Sequence, residues 1–364
     1  MINLCFVFGT RPEYLKIVEV IKELKKNKKF NIKILSSNQQ KNIIKKYVEK
    51  NFIDIDLKLK NFDNDAIFIS KLIKKLNLIF KTFSADFLFV QGDTNTAYGT
   101  SLFGFFKNIP VIHLEAGLRT YDLYNPFPEE FIRQNISKIA KIHFAQNKSS
   151  KINLEKEGIF KNVFVVGNPG VDHLVRYVKE NNNQKIANKS ILVTMHRRES
   201  INSSLEKFIH NLKVFLNNNS EFHVNWPLHT NPDILMKIKK SFKNNMKQIR
   251  FSKPLEYREF QQLMLSSQIV ITDSGGVQEE AAFLGKPLLI ARDKTERIDI
   301  INLNVGTLIN ADGSKLQQKI TYYIKNKVDP VNTNKWRKNQ GLGNSSTKIY
   351  DILNNFLPKF KNKL

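Results

Sequence analysis

Short, strongly apolar runs recur along the chain, separated by longer segments in which apolar and polar residues fall at helical spacing. INLCFVF, NIKILSS, DFLFVQG, IPVIHLE, KIHFAQN and NVFVVGN come first. Each is rich in β-branched and aromatic residues and reads as a strand. The amphipathic segments between them read as helices, and this alternation predicts a parallel sheet covered by helices.

The pattern lapses at ENNNQKIANKS (180–190), a polar stretch without periodicity that is expected to be a linker or loop between domains. A second series of apolar runs follows: SILVTMH, FHVNWPLH, QIRFSKP, QIVITDS and KPLLIAR. The fold class expected is therefore α/β, with two Rossmann-like domains of parallel strands around a central cleft. A length of 364 residues suits two domains, each with a full core. The boundaries expected are 1–170 for the first domain, 171–344 for the second, and a helical segment 345–364 that packs back on the first. Ligands are expected at the carboxyl ends of the strands.

Composition narrows the partners. Hydrophobic residues make up 41% and charged residues 25% of an ordinary globular chain. No run approaches the roughly 18 uncharged apolar residues of a membrane span, and no basic segment precedes the first apolar run, so no membrane association is expected and the location expected is cytoplasmic. The single cysteine, Cys5, lies within a strand pattern and reads as a small buried hydrophobe. The net charge of +25 points toward anionic partners, although most of it is diffuse lysine, as in KKNKK (25–29) and PKFKNKL (358–364). RNA-recognition aromatics, zinc-ligand spacing and heptads are all missing, so nucleic acid is not the expected partner.

Almost every unusual cluster lies directly after an apolar run. FVFGTRPEYLKI (6–17) passes from strand pattern into Gly9, Thr10, Arg11 and Pro12, with Lys16 one turn later. Gly9 suits a tight turn, Thr10 is a candidate N-cap, and Glu13 completes a capping box, which makes Glu13 structural. Arg11 and Lys16 have no such use. A helix N-terminus flanked by cations binds anions, so a phosphate is expected there.

The second half holds a matching device in IVITDSGGVQEEAAFLGKP (269–287), where Ser274, Gly275 and Gly276 open a helix. Glycines let backbone amides approach a phosphate closely, and Glu280 is placed to accept a ribose diol, while Glu279 and Glu280 also complement the helix dipole. Three carboxylates form a third feature: Asp93 in VQGDTNTAYG, Glu115 in VIHLEAGLRT and Glu129 in PFPEEFIRQ. Acidic groups gathered at strand ends suit general acid/base work, because neighbouring carboxylates raise one another's pKa. The fourth is TMHRRES (194–200), where His196 stands beside Arg197 and Arg198; an anion fits there. His229 in WPLHTNP follows another strand end.

In this order the motifs resemble those of the non-hydrolysing UDP-N-acetylglucosamine 2-epimerases, over nearly the whole chain. They are Gly9 to Glu13, Gly92-Asp93-Thr94, Glu115 to Thr120, Pro128-Glu129-Glu130, His196 to Glu199, Asp273 to Gly276 with Glu279-Glu280, and Thr295-Glu296-Arg297. The resemblance implies a fold of the glycosyltransferase B type, a UDP-sugar substrate, a homodimer, and neither a cofactor nor a metal. It implies Asp93, Glu115, Glu129 and His196 as the catalytic set. Arg11, Lys16, Arg119, Arg197, His229, Ser274, Gly275, Gly276, Glu280 and Arg297 would bind substrate, with Phe260 near the uracil. The reaction implied removes the C2 proton as UDP leaves C1, giving a 2-acetamidoglucal, and then re-adds UDP with protonation from the other face. Three positions depart from the usual pattern: Ile132 stands where Asn is usual, Trp226 where Tyr is common, and no proline follows Arg297. In LSSNQQKN (35–42), Asn38 and Gln39 replace the Gln-His pair typical of members activated by a second substrate molecule.

Overall fold

The computed structural model describes residues 1–40, 48–49, 51–59, 64–180, 187, 189–195, 203–228, 236, 238, 241–242 and 247–361. The chain divides into two compact units, Met1–Arg176 with Asn339–Leu364, and Tyr177–Lys338. The divisions fall a few residues from the expected 170/171 and 344/345. The reason is local: the Asp172 carboxylate accepts the backbone N–H groups of Ser345 and Ser346, and Asn168 donates to the Gln340 carbonyl, so both stretches stay with the first unit. The first division thus lies inside a helix, ahead of the polar stretch 180–190, most of which is outside the described residues.

In the first unit the strands are β1 (Ile2–Phe8), β2 (Phe30–Ser36), β3 (Ile55–Asp56), β4 (Phe87–Gln91), β5 (Val111–Ala116), β6 (Ile142–Ala145) and β7 (Val163–Val165). They form one parallel sheet in the order β3-β2-β1-β4-β5-β6-β7. The helices are α1 (Arg11–Lys25), α2 (Asp65–Ile79), α3 (Asn95–Phe106), α4 (Glu129–Ile139), α5 (Lys148–Lys156) and α6 (Pro169–Glu180). Alternate residues of β1 explain its unbroken apolar pattern. Leu4, Phe6 and Phe8 enter a core with Ile17, Ile21 and Leu24 of α1, while Cys5 and Val7 enter another with Leu72 and Leu76 of α2 and Ile136 of α4. Phe6 is stacked on Phe89 of β4, ring centroids 4.3 Å apart. The last helix joins the first of these cores through Ile349, Leu353 and Leu357.

The second unit repeats the plan with β8 (Ser190–Thr194), β9 (His223–Pro227), β10 (Ile249–Ser252), β11 (Ile269–Thr272), β12 (Leu288–Ile290) and β13 (Thr307–Leu308), in the parallel order β10-β9-β8-β11-β12-β13. Its helices are α7 (Ser203–Asn218), α8 (Tyr257–Ser266), α9 (Gly275–Leu284), α10 (Ile298–Asn302), α11 (Leu316–Lys325) and α12 (Pro330–Asn339); the last helix of the chain is α13 (Ser345–Lys361). Trp226, one of the departures noted above, is fully buried in this unit's core against Phe208 and Phe242. In both sheets the strand order reverses beside the first strand, between β1 and β4 and between β8 and β11. Chain leaving those strand ends splays to opposite sides and opens a crevice for ligand. Among the described residues no helix is long and apolar enough to cross a membrane.

Candidate functional site

The first unit's switch point is built by one buried carboxylate. Thr10 caps α1, and Glu13 returns the bond in a capping box. Oε2 of Glu13 accepts from the backbone N–H groups of Gly9 (2.9 Å) and Thr10 (2.8 Å), and Oε1 accepts the hydroxyl of Thr94 at 2.8 Å. Thr94 is the N-cap of α3, so Glu13 joins the turns after β1 and β4. Burial pushes Glu13 up to about 7 against these donors. Gly9 answers a different need from a left-handed turn: a Cβ there would lie 2.2 Å from Ser37 Oγ and 2.3 Å from Thr96 Oγ1.

Arg11 opens α1 and is half-buried. Lys16 is buried on the same helix, and its Nζ donates to Glu115 Oε2 at 2.6 Å. Gln91, the last residue of β4, donates to that oxygen as well. Glu115 does not simply close β5. The register of β5 against β6 shifts between Leu114 and Ala116, and Glu115 occupies this bulge at φ 70°. A left-handed glutamate is strained backbone, which persists where surrounding bonds over-determine it and which clusters at functional sites.

Asp93 follows Gly92 (φ 69°) in the turn after β4. Its Oδ2 accepts from Arg133 of α4, at 3.1 Å from Nε and also from Nη2. Arg133 donates through Nη1 to the fully buried Glu130 at 2.8 Å. Glu129, half-buried, is the first residue of the same helix, behind the cis peptide bonds Asn125-Pro126 and Phe127-Pro128. His113 Nε2 lies 2.8 Å from the Gly92 carbonyl; burial takes its pKa down to about 3, so the neutral ring donates that bond.

The structure therefore brings Glu115 beside Gly92 and ties Asp93 to the helix that begins at Glu129. It modifies the expectation that the carboxylates act on one another, because a cation accompanies each of two of them, Lys16 at Glu115 and Arg133 at Asp93. It also corrects Arg119, which was expected on the substrate. Arg119 is fully buried, bidentate to Glu157 at 2.6 and 2.9 Å, and donates to Ser137 Oγ and the Leu118 carbonyl. Its guanidinium holds the loop after β5 against α4 and the chain after α5, which is a structural task.

In the second unit Ser274 occupies the N-cap position of α9 without a side-chain capping bond, and its own N–H donates to Thr272 Oγ1 at 3.0 Å. Gly275 is bare because the Arg297 guanidinium lies against it: a Cβ would meet Nη1 at 2.4 Å. A Cβ at Gly276 would meet nothing within 4 Å among the described residues, so there is open space beside the head of α9 at that position. Arg297 donates to Glu279 at 2.7 Å and also to Glu296, whose other oxygen takes Arg292 at 2.9 Å. Glu279 thus serves the packing of Arg297. Glu280 is held by Tyr257 Oη (3.1 Å) and by Gln261 Nε2 (2.7 Å) of α8, the helix that also carries the half-buried Phe260. His196, Arg197 and His229 lie outside the described residues.

Residue patterns alone did not single out Gln91, Arg133, Tyr257 or Gln261. Arg133 carried a usable signal, since it stands four residues after Glu129 and three after Glu130, on the same helical face.

Two Rossmann-type units, one with strand-end carboxylates and the other with a glycine-headed helix, place the chain in the glycosyltransferase B class of fold. A family model described as UDP-N-acetylglucosamine 2-epimerase matches residues 22–354. The UDP-N-acetylglucosamine 2-epimerase of Campylobacter jejuni is 33% identical over 96% of this chain and 97% of its own length. Among solved structures, the UDP-GlcNAc 2-epimerase of Neisseria meningitidis, bound to UDP-GlcNAc, matches with a TM-score of 0.86 at 31% identity, over 97% of this chain and 99% of that one. The Methanocaldococcus jannaschii enzyme, in complex with UDP-GlcNAc and UDP, gives the same TM-score at 27% identity over 97% of this chain and 99% of that one. The chain belongs to the UDP-N-acetylglucosamine 2-epimerase family, whose members are isomerases.

Proposed function

We propose that this protein interconverts UDP-N-acetylglucosamine and UDP-N-acetylmannosamine without hydrolysis, with Asp93, Glu115 and Glu129 as the proton-handling carboxylates. The observation that carries this reading is the gathering of Asp93 and Glu115 at the ends of β4 and β5, with Asp93 bonded through Arg133 to the helix headed by Glu129. Such a set can take a proton from one face of C2 and return one to the other.

In the first step the C2–H bond breaks to a carboxylate, a C1–C2 double bond forms, and the C1–O bond breaks to release UDP with its electron pair. The second step reverses this with protonation from the opposite face. The C2 proton is weakly acidic, so stabilising the departing diphosphate carries much of the barrier. Arg11 and Lys16 at the head of α1 suit that task, and His196 and Arg197 belong to the same proposal. Lys16 has three N–H donors, enough to hold Glu115 and meet a phosphate oxygen together. The open space beside Gly276 at the head of α9 supports diphosphate binding there, with Glu280 for the ribose and Phe260 for the uracil. Arg297, which reaches the head of α9, supports the phosphate from the side. We also propose a homodimer acting in the cytoplasm and supplying surface-polysaccharide synthesis; light scattering of the purified protein tests the dimer.

Proton NMR of the protein with UDP-N-acetylglucosamine in deuterated water tests the activity. The expected product is a manno-configured UDP-sugar carrying deuterium at C2. Free N-acetylmannosamine with UDP would instead make the protein a hydrolysing epimerase.

A further inference from the structure

We propose that Arg133 is a positioning residue for this reaction, a guanidinium that holds the carboxylate of Asp93 in register with Glu129. The inference rests on the reading of the site given above. Asp93 and Glu129 stand on separate elements, one in the turn after β4 and the other at the head of α4. Arg133 lies one helical turn beyond Glu129 and donates from α4 to Asp93.

The arrangement is anchored at Glu130. Arg133 is 3% exposed, with Nε and Nη2 both on Asp93 Oδ2 and Nη1 on Glu130 Oε2 at 2.8 Å. Glu130 has no exposure and accepts from the N–H groups of Thr120 (3.0 Å) and Tyr121 (3.1 Å) and from Gln134 Nε2 (2.9 Å). One oxygen of Glu130 thus anchors the fork while the carboxylate as a whole is pinned by the loop after β5 and by its own helix. A planar fork fixes direction as well as distance, which an ammonium cannot do.

The chemistry gives this lock a use. A carboxylate that moves a proton must lie within hydrogen-bond reach of it, and a displacement of about 1 Å costs roughly 100-fold in rate. Two carboxylates that handle the two faces of one carbon need a fixed separation as well as fixed positions. Arg133 supplies it while leaving the diphosphate to other groups.

The test measures kcat, KM, UDP affinity by calorimetry and thermal unfolding for Arg133→Met, Arg133→Lys and Arg133→Ala, beside wild type and Asp93→Asn. Arg133→Met is expected to lower kcat about 100-fold, with the Kd for UDP within about twofold of wild type. Arg133→Lys should recover only part of the rate, because the charge returns without the fork. Guanidinium added to Arg133→Ala should raise kcat about tenfold or more and leave Asp93→Asn unchanged, as expected for replacement of a missing charge-assisted donor. A parallel loss of UDP affinity, an unchanged kcat, or no response to guanidinium overturns the positioning role. If Arg133→Met does not fold, Arg133→Lys decides: reduced kcat at unchanged UDP affinity supports the role, and wild-type kcat overturns it. Wild-type protein that forms no epimer overturns the reading of the site, and this inference with it; wild-type activity with an unaffected Arg133→Met overturns the inference alone.

Discussion

Glu115 in β5 and Glu13 in the first turn of α1 are both buried glutamates, and their surroundings give them different work. Glu115 sits at φ 70° in a bulge, with the Lys16 ammonium 2.6 Å away. Replacing it by Gln keeps the shape and removes the charge, so Glu115→Gln is expected to lower kcat by about 10²–10⁴-fold with UDP affinity unchanged. Initial rates together with UDP calorimetry check both halves. Glu13 instead receives bonds from Gly9, Thr10 and Thr94 with no cation among them, and burial raises its pKa from 4.5 to about 7. An acid raised in this way binds more protons folded than unfolded between those two values. Its contribution to stability is full below about 4.5 and is lost as pH rises through about 7. Wild type should therefore lose about 3 kcal/mol relative to Glu13→Gln across this range. Urea unfolding from pH 4.5 to 8 measures it, and a flat difference between the two proteins would refute the burial cost. The buried His113 and His143, taken down to about 3 and about 4, slope the other way in both proteins and cancel. The sequence made Glu13 legible as a cap because the capping box is local. It could not show that Thr94 completes the set, or that Arg119 is spent on Glu157, because those partners come from distant segments.

At the scale of elements, the apolar runs identified eleven of the strands among the described residues, nine lying within the quoted stretches and β2 and β5 each reaching one residue beyond them, to Phe30 and Ala116. The two it left out, β3 (Ile55–Asp56) and β13 (Thr307–Leu308), have two residues each and lie at sheet edges, too short to carry a period. The head of α9 was legible as a glycine-opened helix, but the two glycines turned out to serve different ends. At Gly275 a side chain would displace Arg297, whereas at Gly276 the space is open. Gly276→Ala is therefore expected to leave thermal stability unchanged or up to about 1 kcal/mol higher through helix propensity, and, on the proposed reading of the site, to weaken UDP binding because the added methyl would stand where the diphosphate is proposed to approach. A thermal melt paired with calorimetry separates the two effects. Unchanged UDP affinity would remove this helix head from the binding site.

For the whole molecule, the closing helix matters more than its place at the end of the chain suggests. Leu353 of α13 is fully buried in the first unit's core, together with Ile349 and Leu357. Leu353→Ala should cost about 2–5 kcal/mol, the usual range for a buried leucine whose cavity collapses only partly, and chemical unfolding reads it directly. A cost below about 1 kcal/mol would mean that α13 is peripheral. By itself the sequence determined the α/β class, the strand cores and the residue types at each strand end, because period, capping and turn chemistry act over a few neighbouring residues. Only the tertiary structure decided which charges meet. Lys16 finds Glu115 across 99 residues and Arg133 finds Asp93 across 40, pairings set by the strand order that carries β4 between β1 and β5. A linear pattern holds no record of such distances, since parallel pairing joins segments through crossovers whose lengths are free to vary.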